Sequence, residues 1–263
     1  LPVDLPPAVE LNVLDIGSGP VVVLLHGWAM SLEAFDRQLA AFAGDHRVVA
    51  VDLRGHGASP KPWGTVHYAD HAADVIAVLE RLDLRDVALV GWSMGGAIGA
   101  YLAARTDRVA KVALVGSPPR FRRAPDAPWG APPGGGEAFL ENIRTRREWT
   151  MRRAVEDTLA VQLGEAVHQW LFGLTMRCPT HAAAGTFEGV LEADVREDLV
   201  GLARPVLVAH GVHDPFVSIE AARWAGGAVP GARLVEFAQS AHAPFLEEPE
   251  RFNAELRAFV GGS

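Results

Sequence analysis

The stretch LVGWSMGGAIGA, residues 89–100, constrains the fold of this chain more than any other. Gly91, Gly95 and Gly96 crowd around Ser93 where the apolar β-type run Asp86–Val90 gives way to the helical pattern Ala97–Ala104. Glycines weaken both strands and helices, so their concentration predicts a tight turn in which backbone elements approach closely. Strand, Gly-x-Ser-x-Gly, helix is the pattern of a nucleophile elbow, which lifts a serine hydroxyl above a sheet. The N-terminus of the helix beneath it favours developing negative charge. The competing reading is a glycine-rich turn with an incidental serine.

Around this junction, strand and helix signals alternate. Leu11–Ile16, Val21–Leu25, Arg47–Asp52, the Val87 segment, Lys111–Val115, Pro205–His210 and Ala232–Phe237 read as strands. The run Val21–Leu25 is continuously apolar, as in a strand buried on both faces. Helices are predicted over Ser31–Phe42, Ala69–Leu82, after Ser93, Ile219–Ala225 and Phe252–Val260. This order specifies an α/β fold with a mostly parallel twisted sheet flanked by helices. With 263 residues and 49% hydrophobic composition, the chain can bury a substantial core.

The alternation lapses once. From about Pro118 to Val200 no strand is legible, so residues 118–200 are expected to form a helical cap inserted between two strands. Residues 1–117 and 201–263 would then make the core. The Pro/Gly-rich stretch Ala124–Gly136 reads as too loose to pack regularly. The spacing Thr145-Arg146-Arg147-Glu148 is that of a capping box and predicts a helix from Thr145 through Leu159. Arginines in its first turn oppose the helix dipole, which suggests another use for them.

Charge is uneven. Between Pro118 and Arg153 stand eight arginines (120, 122, 123, 144, 146, 147, 152 and 153) against Asp126, Glu137, Glu141 and Glu148, on a chain of formal charge −8. Such a patch can attract an anionic partner, or it can be an ordinary solvated helical face. The overall charge argues against a general nucleic-acid binder. No apolar run reaches the roughly 18 residues of a membrane span. The N-terminal LPVDLPPAVE lacks the basic and apolar regions of a secretion signal, although the numbering starts at Leu1. The lone Cys178 allows no internal disulfide. A cytoplasmic protein is expected, with no membrane and no nucleic acid as partner.

A serine hydroxyl needs a general base, itself oriented by a carboxylate. In this architecture they follow in the order Ser, Asp or Glu, His. Asp214 comes directly after the strand Pro205–His210, and His242 just after Ala232–Phe237, at the strand ends where open α/β sheets place ligands. The expected catalytic residues are therefore Ser93, Asp214 and His242. Oxyanion donors would be the backbone N–H of Met94, next to the nucleophile, and that of Trp28, in the His26-Gly27-Trp28 loop after Val21–Leu25. The Trp28 and Trp92 side chains could equally line an acyl pocket or belong to the core. His210 and His213 beside Asp214, and His67 and His71 near Asp70 and Asp74, raise a metal site, but a closed site needs three or four converging ligands. Surface or loop polar residues are the preferred reading, with no metal and no organic cofactor.

At Leu25-His26-Gly27-Trp28, Asp52–Gly57, Gly91–Gly96, Gly211–Asp214 and Ala241–Phe245 the chain resembles the α/β-hydrolase superfamily over essentially its whole length. Within it, HGW, GWS-x-GG, AHAPF and the cap opening Ser117–Phe121 most resemble the pimeloyl-acyl-carrier-protein methyl ester esterases of biotin synthesis. That resemblance implies an ester with an apolar acyl chain as substrate and an acidic acyl-carrier protein held by cap arginines. The individual carrier-binding arginines find no position-by-position match here. It also suggests Phe139 as a substrate-pocket aromatic, with core packing the competing reading. The expected activity is serine carboxylesterase; lactonase, carbon-carbon bond hydrolase and slow-turnover ligand receptor are the alternatives, since fold and triad do not separate them. Serine at position 93 excludes chemistry that needs an aspartate nucleophile there.

Overall fold

A computed structural model describes residues 5–262; residues 1–4 and 263, which the sequence reading assigned to the core, lie outside the described residues. In chain order the elements are β1 (Val13–Gly17), β2 (Val21–Leu25), α1 (Asp36–Phe42), β3 (Arg47–Val51), α2 (Tyr68–Arg81), β4 (Val87–Trp92), α3 (Met94–Ala103) and β5 (Val109–Val115). Then follow α4 (Gly135–Thr145), α5 (Arg147–Thr158), α6 (Glu165–Met176), α7 (Thr180–Glu192) and α8 (Arg196–Val200). The chain ends with β6 (Val206–Gly211), α9 (Ile219–Ala228), β7 (Arg233–Phe237), α10 (Pro244–Glu247) and α11 (Pro249–Gly261).

The seven strands form one sheet in the order β1-β3-β2-β4-β5-β6-β7, parallel except for β1 against β3. Side chains of a strand alternate between faces, and the apolar runs of the central strands supply both. Val23, Leu25, Val49, Leu89 and Val112 pack with α2 and α3 on one face. Val22, Leu24, Val48, Val90 and Ala113 pack with α1 and α11 on the other. From β2 the chain crosses to β3 on one side and then to β4 on the other. The C-terminal ends of β2 and β4 therefore flank a switch point, where open α/β sheets form their crevice. Register brings Leu25 opposite Gly91, so the loops after these two strands emerge side by side.

Five helices, α4 to α8, lie between β5 and β6, where the sequence placed its strandless segment. Two local expectations fail there. The helix expected from Thr145 through Leu159 is present as α5, Arg147–Thr158, but Thr145 does not cap it. Thr145 is the last residue of α4, its Oγ1 donates back to the Glu141 oxygen at 2.8 Å, and the helical run breaks at Arg146. The apolar pair Leu140 and Ile143 holds the preceding residues helical through Thr145, which consumes the would-be cap. Nor is Ala124–Gly136 loose. Ala131 N–H donates to Phe121 and Arg123 N–H to Ala131, Ala127 is fully buried, and the rings of Trp129 and Trp224 lie 5.4 Å apart.

The charge reading also changes on folding. Residues 154–200 contribute eight acids and two arginines, so residues 118–200 as a whole hold twelve acids and ten arginines. Acids from the second half meet arginines from the first: Arg120 pairs with Asp194 at 2.9 Å and Arg144 with Glu188. Arg122 pairs with Glu137 at 2.8 Å and Arg153 with Glu156 at 2.8 Å. Arg147 donates to the main-chain oxygens of Met176 and Cys178, tying α5 to the end of α6. That is the other use of a first-turn arginine.

Candidate active site

The glycines around Ser93 serve close packing. A Cβ on Gly95 would lie 2.3 Å from the Leu25 oxygen, and one on Gly91 would lie 2.4 Å from the Gly95 oxygen, so α3 can begin against β2 and β4 only without them. The unusual torsion falls on the serine itself, at φ 54 and ψ −120. Such a conformation costs on the order of 1–3 kcal/mol and persists where the surroundings over-determine it. Here Ser93 N–H donates to Val115 at 2.7 Å, and the Ser93 oxygen accepts from Gly96 and Ala97 in α3.

The loop after β2 closes on Ser93 from the neighbouring strand: a Cβ on Gly27 would lie 3.2 Å from that of Ser93. His26, fully buried, shapes this loop. Its Nε2 accepts from Leu53 N–H at 3.0 Å, which leaves the proton on Nδ1, 2.8 Å from the Gly27 oxygen. Burial keeps this imidazole below its usual pKa and neutral. The Trp28 N–H has no hydrogen-bond partner among the described residues, and Met94 is the first residue of α3, where helix N–H groups have no intrahelical acceptor.

Asp214 and His242 meet. His242 Nδ1 lies 2.6 Å from Asp214 Oδ2, with both side chains almost wholly buried. The other oxygen of Asp214 accepts from Phe216 and Val217 N–H at 2.8 and 3.0 Å. Burial alone would raise the Asp214 pKa; His242, His210 and these donors outweigh it and hold the carboxyl below its usual value. His210 is no surface residue: it is fully buried, its Nε2 lies 2.8 Å from the Val217 oxygen and 3.4 Å from Asp214, and burial keeps its pKa low. His213 is exposed.

The main chain of His242 is held at both ends. Its N–H donates to Thr158 at 3.0 Å, and its oxygen accepts from the Trp92 indole at 2.8 Å. Trp92, 2% exposed, is thus chiefly a structural brace. Nothing in the sequence pattern marked Trp92 or His26 for these tasks, because a one-dimensional pattern does not say where a ring nitrogen points.

Ser93, Met94, Trp28, Trp92, Phe139 and His242 all border one cavity of about 310 Å³. Its walls are apolar, with Met151, Val155 and Val190 from the inserted helices and Phe216 beside His242. Phe139 stands edge-on to Trp28 at 5.4 Å and packs on Phe187 at 4.9 Å, so it is wall and core at once. Trp28 Nε1 donates to the Ala183 oxygen at 2.9 Å, so the polar atom of the indole is engaged by α7.

Of the second histidine pair, His67 is exposed and His71 is buried. His71 is inaccessible, and neither ring nitrogen has a partner, while His56 lacks one at Nε2. The neighbouring carboxylates are engaged elsewhere. Asp74 takes two hydrogen bonds from Arg54 and one from Val9 N–H, and Asp70 accepts from His67 N–H. Among the described residues no three His, Cys, Asp or Glu side chains converge as metal ligands, and no helix is long and apolar enough to cross a membrane.

A family model described as alpha/beta hydrolase fold matches residues 20–249. The chain is 36% identical over 250 residues to a pimeloyl-[acyl-carrier protein] methyl ester esterase of Nitrosomonas europaea, covering 92% of this chain and 96% of that one. Among solved structures it is similar to an esterase from Exiguobacterium antarcticum, with a TM-score of 0.92, 30% identity and 95% of each chain covered. It also resembles a bromoperoxidase from Bacillus anthracis, with a TM-score of 0.91, 27% identity and 95% of each chain covered.

Proposed function

The chain belongs to the α/β-hydrolase fold family and is a carboxylic ester hydrolase, and we propose that it works as a serine esterase on esters with an apolar acyl chain, through Ser93, His242 and Asp214. One observation carries this reading: Ser93, held at positive φ at the head of α3, borders the same apolar cavity as His242, whose Nδ1 is engaged by Asp214.

With Nδ1 bound to Asp214, the His242 proton acceptor is Nε2. Ser93 Oγ attacks the ester carbonyl carbon as His242 takes its proton, and the carbonyl π electrons move onto oxygen. The N–H groups of Trp28 and Met94 receive that oxyanion, a contribution of roughly 3–4 kcal/mol per donor in comparable sites. Collapse expels the alcohol, protonated by His242, and leaves an acyl-enzyme. Water, deprotonated by His242, then releases the acid. Asp214 fixes the imidazole tautomer and stabilises the imidazolium. Residues 118–200 act as the cap: Met151, Val155 and Val190 give the acyl chain an apolar wall.

A finer reading places the ester on an acidic acyl-carrier protein. The relative from Nitrosomonas europaea supports it, as does an exposed face of α5 with Arg146, Trp149 and Arg152, where neither Arg146 nor Arg152 has a carboxylate partner among the described residues. Most of the other cap arginines are paired with carboxylates, Arg120, Arg122, Arg144 and Arg153 among them. Among the described residues this leaves the α5 face as the one with two uncompensated exposed guanidiniums close together in sequence.

The test is hydrolysis of p-nitrophenyl esters from acetate to decanoate, with Ser93→Ala as control and a fluorophosphonate label located by mass spectrometry. Turnover lost in the variant, with label on Ser93, supports the serine mechanism. A folded protein with no turnover and no label sinks it. For the carrier reading, Arg146→Glu/Arg152→Glu should slow a carrier-linked ester at least about fivefold at low salt and leave p-nitrophenyl esters unchanged. Equal effects on both would remove the carrier.

A further inference from the structure

Glu247 is a buried carboxylate that no Lys, Arg or His among the described residues neutralises. Backbone amides surround it instead. Oε1 accepts from Ala241 N–H at 2.9 Å and Ala243 N–H at 3.3 Å, on either side of His242. Oε2 accepts from Ala160 N–H at 2.6 Å and Val161 N–H at 3.0 Å, just beyond the end of α5. The His242 N–H adds a third link to the same place by donating to Thr158. One side chain therefore fastens the loop carrying His242 to the segment that ends α5.

That helix is also a wall of the cavity, through Met151, Val155 and Thr158. A chain that fills the cavity presses on α5, and α5 is joined to the His242 loop through Glu247. We propose that Glu247 is a positioning residue that couples occupation of the apolar cavity, and seating of the cap, to the placement of His242. This rests on His242 being the base. When residues 158–161 shift, the His242 loop loses the Thr158 bond and both Oε2 bonds together. When an acyl chain holds α5 in place, all of them are kept. Esters long enough to reach α5 are then turned over faster for the same chemistry, in kcat rather than KM.

The carboxylate is specific to the task. It offers about four lone-pair sites and no donor, and four N–H groups use them. An amide at this position would aim its NH₂ at two donors, so Glu247→Gln breaks one half of the clamp without changing shape. From the other side, Ala160→Pro removes one donor; the extended Leu159 before it suits a following proline.

The experiment measures kcat and KM for p-nitrophenyl acetate and hexanoate in wild type, Glu247→Gln, Ala160→Pro and the double variant, with Ser93→Ala and His242→Ala alongside. The expected result is a fall in kcat on hexanoate of about tenfold in each single variant and about threefold on acetate. KM should stay within about twofold, and the double variant should be no worse than the poorer single one. A lowered Tm with unchanged kcat and an unchanged hexanoate-to-acetate ratio would overturn the proposal, leaving Glu247 a structural residue. If Glu247→Gln does not fold, the same ratio in Ala160→Pro decides. Activity surviving in His242→Ala sinks the underlying triad instead, so the two failures stay distinct.

Discussion

The indole Nε1 of Trp92 donates to the main-chain oxygen of His242 at 2.8 Å. The residue just before the proposed nucleophile thus braces the residue proposed to serve it as base, across 150 positions of chain. Trp92→Phe keeps the ring that packs on Phe245 at 4.9 Å but leaves the His242 oxygen without its donor. Abandoning a buried acceptor costs about 1–3 kcal/mol. The expected outcome is a melting temperature lower by several degrees and a kcat about tenfold lower, checked by thermal denaturation and p-nitrophenyl ester kinetics. Wild-type kcat in the variant would show that the brace is dispensable for catalysis.

Asp214→Asn should preserve the fold and still lose activity. The asparagine NH₂ would face Nδ1 and favour the imidazole tautomer with its proton on Nε2, the atom that must accept from Ser93. A fall in kcat of about 10⁴-fold is expected, with a similar or larger loss in Ser93→Ala and no further loss when the two are combined. Additive losses in the combined variant would mean that the two residues do not act in one step.

Phe139→Ala opens the cavity wall beside Trp28. Each methylene buried in an apolar site is worth about 0.8 kcal/mol, or roughly fourfold. The variant should therefore move the chain-length optimum to longer p-nitrophenyl esters and lose most on the short ones. An unshifted optimum with uniformly reduced rates would assign Phe139 to core packing alone, through its contacts with Phe187 and Trp28.

The centre of the sheet was legible because its inner strands are buried on both faces: a run such as Val21–Leu25 has no other stable place. The proximity of Ser93, Asp214 and His242 was legible because each follows a strand, and the C-terminal ends of parallel strands converge on one edge of the sheet. The insert was read less well. Thr145 carries the same local signal at the end of a helix as at the beginning of one, and the decision lies in Leu140 and Ile143 finding a core. The arginine-rich segment looked basic because its neutralising acids, Glu188 and Asp194 among them, come 44 and 74 residues later. Glu247, His26 and Trp92 act through main-chain partners, and a backbone amide has no letter in a sequence.

Acid should destabilise this protein well above the carboxylate range. His26, His56 and His71 lie together, with ring centroids 5.1 Å apart for the first pair and 6.5 Å for the second. Burial, with the neighbouring His26, pushes His56 down to about 3. Burial, with His56 and Arg54 nearby, holds His71 well below its usual value. In the unfolded chain each titrates near 6.5. Between these limits the unfolded state binds protons that the folded state refuses, so stability is full above pH 6.5 and falls as the pH drops toward 3. The slope approaches about 1.4 kcal/mol per pH unit for each histidine kept neutral. His71 makes the sharper test because neither of its nitrogens has a partner to lose. His71→Leu, similar in volume, should cost little at pH 7.5 and flatten the fall in denaturant midpoint between pH 6.5 and 4.5. A parallel fall in wild type and variant would place the acid sensitivity elsewhere, with Asp214 the next group to examine, since its lowered pKa ties stability to a lower pH window.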